Sequence, residues 1–443
     1  MASPSGVTLV PGSLLESFEL RLGDRAIWSG EAVVVHGSSE RVGGRFTSSV
    51  LDLHRLRVGA TLEGRLSVLR EQRERLPAEW RAAVGDLRQL LEDIRFELEE
   101  IEQADMRDPL RQGDEEVKLF DELHVRWGGV YVAAVSQLHA MSKVLDERAV
   151  ALGRSYAQSM IMPLFMGSPF QRRAYEKPLG YAGDYRMMEL CYTKELHGDG
   201  LFGRFLHSLG KTRTLVRAVV AREAVMREAV RRAAESEGEG PVRVLVLAAG
   251  PAIELRNWLE ETTSLRRPVE LVLLDQDREA HETAHRHLTR ILLERHHGML
   301  PVVVQCLHFS VRQLLKPRTI DDERVVSEVL TNVDLIYSGG LYDYLPDPVA
   351  ALLTKRIYAL LRDGGRLLLG NLMEAPDTTW FMDYVLGWPL IYRTDETMLP
   401  FANGLLPSPS SVGISRDSTG FCIFLDVTKP VDCEDRMARA PNP

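Results

Sequence analysis

The chain has 443 residues, a formal net charge of −9 at pH 7 and a pI of about 5.8. An acidic balance gives no global attraction to nucleic acid or to an anionic membrane, and no apolar run approaches the roughly 18–20 residues that a membrane span needs. The length is ample for two or three domains with sizeable cores. The opening stretch MASPSGVTLVPGSLLESFEL lacks the basic region and apolar h-region of a signal peptide, so a cytoplasmic location is expected. Cys191, Cys306, Cys422 and Cys433 are far apart and form no C-x-x-C, which reads as free thiols rather than a zinc site or disulfide framework.

In chain order, residues 1–58 read as a small β module. FELRL (Phe18 to Leu22) alternates, AVVV (Ala32 to Val35) is β-branched, and Gly43-Gly44 marks a turn. The module faintly resembles a PilZ-like barrel but lacks a convincing cyclic-nucleotide motif; a structural or oligomerising role is the plainer reading, and a homo-oligomer stays open.

Residues 59–231 read as helical. Leu87, Leu90, Leu91, Ile94, Leu98 and Ile101 recur at helical spacing, and FELEEIEQAD reads as a solvated face. Within this region, SPFQRRAYEKPLGYAGDYRMMELCY (168–192) concentrates four tyrosines, two prolines and two glycines with Asp184. That composition suits a lid over a ligand or, equally, a tight inter-helix turn.

Residues 232–430 carry the chemistry. VRVLVL (Val242 to Leu247) reads as a strand buried on both faces; it breaks at Gly250-Pro251 into a helix-like segment. VELVLLD then ends on Asp275, 25 positions after Gly250, where a carboxylate can accept both hydroxyls of a ribose. A dinucleotide fingerprint wants three glycines, and Ala248 and Ala252 stand where two would be. CLHFSVRQLL (Cys306 to Leu315) follows a third strand. VDLIYSGGLYDYLPD (Val333 to Asp347) is a strand ending in a glycine-containing loop, with a helix starting near Pro348. LLRDGGRLLLGNL gives a helix end, a Gly364-Gly365 turn and another strand, and STGFCIFLDVTK (Ser418 to Lys429) reads as a closing strand. His281 and His285 lie one helical turn apart; with no third ligand at a plausible spacing they read as a solvated helix face, and no metal is expected. A disordered tail is expected at 431–443.

The order of glycine turn, ribose acid, "DLIYSGGLYDYL" strand end and "DGGRLLLGN" strand resembles class I S-adenosyl-L-methionine-dependent methyltransferases. With "YEKPLGYAGDY", "LFGRFLHSLGKTRTLVRAVVAR" and "FMDYVLGWPLIYRT", the stretch from about Tyr156 to Thr428 resembles bacterial 3-hydroxypalmitic acid methyl ester biosynthesis proteins. Such proteins often carry glycine and cysteine where Ala248 and Ala249 stand here. The resemblance implies an α/β fold with a Rossmann-like seven-stranded methyltransferase sheet. It also implies S-adenosyl-L-methionine as cofactor, with Ala249, Gly250 and Pro251 at its methionine end, Asp275 at the ribose, Gln276 on the adenine side, and Tyr337, Ser338, Gly339 and Gly340 facing it. Phe309 and Ser310 are candidates against the adenine, the competing reading of Phe309 being ordinary core.

The expected acceptor is a small molecule, foremost the carboxylate of a 3-hydroxy fatty acid giving a methyl ester signal. A carboxylate is already ionised at neutral pH and needs alignment rather than a general base. Tyr181 and Tyr342 are the expected orienting hydroxyls, Asp184 closes with Tyr181, and Asp343 is a base if the acceptor is neutral; each could equally be a structural cap, since an aspartate before a helix is a common N-terminal stabiliser. WFMDYVLGWPLIYRT offers Trp380, Phe381 and Tyr384 as an apolar wall ending at the Arg393 guanidinium, the alternative being that these aromatics are helix core. The competing functions are O- or N-methylation of another metabolite or a protein, and a non-catalytic regulator that binds the same cofactor.

Overall fold

The computed structural model describes residues 14–22, 25–37, 42–46, 62–105 and 114–431. The chain divides into two compact units, Met1–Arg81 with Asp146–Tyr156, and Ala82–Leu145 with Ala157–Pro443.

In the first unit, β1 (Leu14–Leu22), β2 (Arg25–Gly37) and β3 (Val42–Phe46) form an antiparallel sheet in that order. The expected Gly43-Gly44 turn is a correction: both glycines lie inside β3, opposite His36 and Val34, where a register shift absorbs the irregularity. Helix α1 (Leu62–Arg75) carries Glu71, whose carboxylate is gripped by the Arg148 fork. The rest of the expected β module lies outside the described residues, as does the expected tail beyond Val431.

Helices α2 (Ala78–Asp105), α3 (Asp114–Ser142) and α4 (Glu147–Phe165) follow. Leu87, Leu91, Ile94 and Leu98 of α2 are buried while Phe96 and its glutamate neighbours are exposed, so the apolar stripe and the wet face fall where the helical period puts them. The segment 168–192 folds as two short helices, α5 (Pro169–Glu176) and α6 (Tyr185–Tyr192), joined by residues 177–184. Then come α7 (Gly200–Lys211) and α8 (Thr214–Ala234). Among the described residues no helix is long and apolar enough to cross a membrane.

The second unit is built on a seven-stranded sheet in the order β6-β5-β4-β7-β8-β10-β9. Its strands are β4 (Val242–Leu247), β5 (Val269–Asp275), β6 (Val302–His308), β7 (Val333–Ser338), β8 (Leu361–Leu372), β9 (Ser411–Arg416) and β10 (Cys422–Thr428). β4 to β8 are parallel, and β10 runs antiparallel to both β8 and β9. This is an α/β, Rossmann-like seven-stranded sheet closed by an antiparallel hairpin.

Helices α9 (Ile253–Glu261), α10 (Arg278–Glu294), α11 (Val311–Leu315), α12 (Ile320–Arg324), α13 (Asp347–Tyr358) and α14 (Asp395–Met398) complete the unit. Leu245 and Leu247 of β4 join Ile336, Leu367, Leu369, Ile423 and Leu425 in a core shared with Leu353 and Ile357 of α13. Burying each such side chain contributes about 1.5–3 kcal/mol, which is why the central strands are mostly apolar. The opposite side of the sheet carries α8, which packs on β4, β7, β8 and β10. The expected turn at Gly364-Gly365 is also corrected: β8 begins at Leu361 and runs through both glycines, with Gly364 at φ +72° where the pairing to β7 shifts register. Strand order reverses between β4 and β7, since β5 flanks one edge of β4 and β7 the other; ligand crevices open at the carboxyl ends of strands at such a switch point.

Candidate active site

At that switch point the chain turns from β4 into α9 through Ala248, Ala249, Gly250, Pro251 and Ala252. Three of these residues are left-handed, Ala248 at φ +52°, Gly250 at +52° and Ala252 at +50°. Glycine adopts this conformation freely, whereas alanine gives up roughly 1 kcal/mol or more. The backbone of a three-glycine turn is therefore retained with alanine at two of its positions.

The turn places the Gly250 N–H on Asp275 Oδ2 at 2.9 Å, and the Asp277 N–H reaches Asp275 Oδ1 at 2.9 Å. The Asp275 carbonyl accepts from the Phe309 N–H at 2.9 Å and from His281 Nε2 at 3.1 Å. His281 is thus buried beside the strand end rather than on a solvated face, whereas His285, one turn on, is exposed. Burial pushes the Asp275 carboxyl above its ordinary range while the two backbone donors pull it back. Among the described residues, no group of three or more His, Cys, Asp or Glu could hold a metal ion.

A cavity of about 690 Å³ opens over these strand ends. It gathers Tyr181, Ala249, Gly250, Pro251, Asp275, Gln276, Phe309, Ser310, Tyr337, Gly339, Gly340 and Asp343 from the sequence-derived set. Ser310 starts α11 with a capping box to Gln313, which fixes its position at the rim. The Tyr337 hydroxyl donates to Glu254 Oε1 at 2.7 Å. Asp343 is 2 % exposed; its Oδ1 accepts the Leu372 N–H at 2.7 Å, and burial pushes its carboxyl up to about 6.

Four expected residues do not line this cavity, and a fifth lines it in another place. The Tyr342 ring is fully buried among Leu353 and Phe401, its hydroxyl 2.8 Å from Thr354 Oγ1, so it packs the core instead of orienting an acceptor. Arg393 is buried as well: its guanidinium donates to the carbonyls of Tyr342 and Leu345, to Asn371 Oδ1 and to Asp347 Oδ1 at 2.6–2.8 Å, leaving no fork for a ligand. Asp184 is the N-cap of α6, accepting from the Met187 N–H at 2.9 Å and Arg173 Nε at 2.7 Å. Ser338 is enclosed within β7. Tyr181 does reach the cavity, but its hydroxyl points at Asp277 Oδ2 3.4 Å away, which puts it beside Asp275 and Asp277 at the end of β5. The aromatic wall is likewise core: Trp380 stacks on Tyr384 and Phe381 packs on Phe165.

The cavity also contains residues the sequence reading missed. Gly183 of the PLGYAGDY motif lies against Tyr344, where a Cβ would come within 2.5 Å of the hydroxyl; that hydroxyl accepts from Trp388 Nε1 at 2.8 Å. Glu254, in the first turn of α9, and Arg222, in α8, bring buried ionisable groups to the wall. The signal for Arg222 was present: it falls on the helical stripe Leu215, Val219, Met226, where an apolar residue would be expected.

No protein-family model matches the chain, and no curated protein matches it. Among solved structures, a Bordetella parapertussis protein reported as a possible exported protein is similar at 18% identity and TM-score 0.46, over 68% of this chain and 97% of its own. Magnesium protoporphyrin IX methyltransferase from Synechocystis PCC 6803 is similar at 9% identity and TM-score 0.39, over 59% and 99%. The S-adenosylmethionine-dependent methyltransferase SibL is similar at 14% identity and TM-score 0.38, over 79% and 96%. At these values the likeness carries no assignment of activity.

Proposed function

We propose that the chain is an S-adenosyl-L-methionine-dependent methyltransferase of a small-molecule acceptor, and that the acceptor group is a carboxylate, such as that of a 3-hydroxy fatty acid. The observation that carries this reading is the Gly250–Asp275 contact at a parallel-sheet switch point, opening on a cavity of small-molecule size, within the roughly 300–1,000 Å³ range of such sites. A cytoplasmic location belongs to the same proposal.

The residues present fit the donor. Asp275 spends one lone pair of each oxygen on a backbone N–H and keeps the others for ribose hydroxyls. Ala249, Gly250 and Pro251 present backbone rather than bulk to the methionine end, Gln276, Phe309 and Ser310 flank the adenine, and Tyr337, Gly339 and Gly340 close the far side. When bound, the donor supplies an electrophilic methyl group on a sulfonium. The chain's own contribution is alignment and exclusion of water, for which the apolar side chains Leu215, Val216, Val219, Met382 and Leu390 are suited; the same wall would take an acyl chain. An acid acceptor is ionised near neutral pH, so no base is required. Were the acceptor a hydroxyl, Asp343, pushed up to about 6, is a carboxylate of the cavity able to take its proton above that pH.

The test is a transfer assay with isotopically labelled donor and matched 3-hydroxyalkanoates, alkanols and alkylamines, read by mass spectrometry. Methyl esters formed from the acids alone support the whole reading. Label appearing only in ethers or methylamines overturns the carboxylate assignment, and a protein that binds no donor overturns the reading altogether.

A further inference from the structure

Arg222 is a charge that the roles above leave unused. It sits on the buried stripe of α8, is 8 % exposed and lines the cavity. A guanidinium offers five N–H donors, all of which want partners when taken out of water. Its Nη2 reaches Met188 Sδ at 3.6 Å, a weak acceptor, its Nε is buried with no partner, and among the described residues no ion pair forms to it. Arg393, equally buried in the same unit, satisfies itself with two carbonyls, an amide oxygen and a carboxylate. The contrast is between a structural arginine and one left open.

The surroundings keep it open. The ionisable groups facing Arg222 are Tyr192, Cys422, Asp343, Cys191, Glu254 and Tyr344, and the Glu254 Oε1 is taken by the Tyr337 hydroxyl. Tyr192 gives its hydroxyl hydrogen to the Val219 carbonyl at 2.6 Å, and one oxygen of Asp343 is taken by the Leu372 N–H. The guanidinium lies along the backbone at the end of β7, where a Cβ on Gly340 would meet Nη1 at 3.0 Å and Nη2 at 3.2 Å. Bare backbone at that position leaves the planar fork uncovered. A buried guanidinium with no anion hydrogen-bonded to it is strongly unfavourable, and the anion that matches two parallel N–H groups is a carboxylate.

We propose that Arg222 binds a ligand carboxylate in this cavity. Within the donor reading on which this rests, two groups have that chemistry, the acid of the acceptor and the amino-acid end of the donor. Arg222 takes the cationic role that the sequence pattern suggested for Arg393.

The test compares wild type with Arg222→Met, which keeps the volume and removes the charge, and with Arg222→Lys, which keeps the charge and removes the fork. Calorimetry follows two pairs, each an acid and its acid-free counterpart: S-adenosylhomocysteine with 5′-methylthioadenosine, and decanoate with 1-decanol. Arg222→Met is expected to weaken one acid about 10–100-fold, as charged hydrogen bonds do, while its counterpart changes less than about twofold. Loss for S-adenosylhomocysteine places the donor's amino-acid end at Arg222, and loss for decanoate places the acceptor there. Arg222→Lys should fall between, and it decides the matter if the methionine variant does not fold. Unchanged affinity for both acids overturns the proposal. A wild type that binds neither adenosyl compound overturns the donor reading instead, and the decanoate pair then still decides Arg222.

Discussion

Gly250 donates its backbone N–H to Asp275 Oδ2 at 2.9 Å, tying the turn after β4 to the end of β5 across adjacent parallel strands. This contact requires the left-handed turn, because an extended residue at 250 would aim its N–H elsewhere. It aligns the carboxylate before any ligand arrives, so the ordering of that side chain is not charged against binding.

The first prediction concerns the strained turn. Ala248 is exposed at φ +52°, so its methyl group adds strain with little burial to offset it. Ala248→Gly is expected to raise stability by about 0.5–1 kcal/mol after the greater freedom of unfolded glycine is subtracted. Urea unfolding checks this; a destabilised variant would show that the methyl group packs.

A second prediction uses Asp343. Its carboxyl titrates near 6 in the folded chain against a usual value of 3.8, because burial disfavours the charge. The protonated form is favoured by folding, so this contribution is full below about pH 4 and is lost as the pH rises through 6, at a cost of about 3 kcal/mol above it. Asp343→Asn keeps an oxygen for the Leu372 N–H and removes the charge. Unfolding titrations should show the variant more stable than wild type at pH 8 and nearly equal at pH 4; equal stability at pH 8 would mean the carboxylate is compensated in place.

Tyr342 and Arg393 supply a third prediction. Tyr342→Phe should cost about 1 kcal/mol of stability through the lost contact with Thr354, with transfer kinetics unchanged. Arg393→Lys strips several buried acceptors at once and should cost about 2–4 kcal/mol, again without a selective effect on acceptor affinity. A fall in turnover with wild-type stability, in either variant, would return that residue to the site.

What the sequence made legible was whatever a local pattern encodes. β4, β5 and β7 are buried on both faces, so each is apolar through its centre after one charged residue near its start, Arg243, Glu270 or Asp334, and the spacing of Gly250 and Asp275 marked the crevice. Direction was not legible. Tyr342 and Tyr344 belong to one 3-10 turn, yet one enters the core and the other the cavity. The stretch Trp380 to Arg393 has the composition of a pocket wall, but its path carries the arginine beneath the loop after β7, where unpaired carbonyls need a donor. Gly43-Gly44 and Gly364-Gly365 looked like turns because glycine permits both turns and strand irregularities, and the pairing partner decides between them. Arg222 left a signal, a charge on the apolar stripe of α8, but that signal gains meaning once the space beside it is seen.

The central claim is that Asp275 grips the ribose of an adenosyl donor. Titration calorimetry of S-adenosylhomocysteine into wild type and Asp275→Ala, with both confirmed folded by circular dichroism, tests it most directly. The account predicts binding to wild type and a loss of about 100-fold or more in the variant, since two charged hydrogen bonds and their alignment disappear together. Equal affinity in the two proteins, or no binding by wild type, would contradict it.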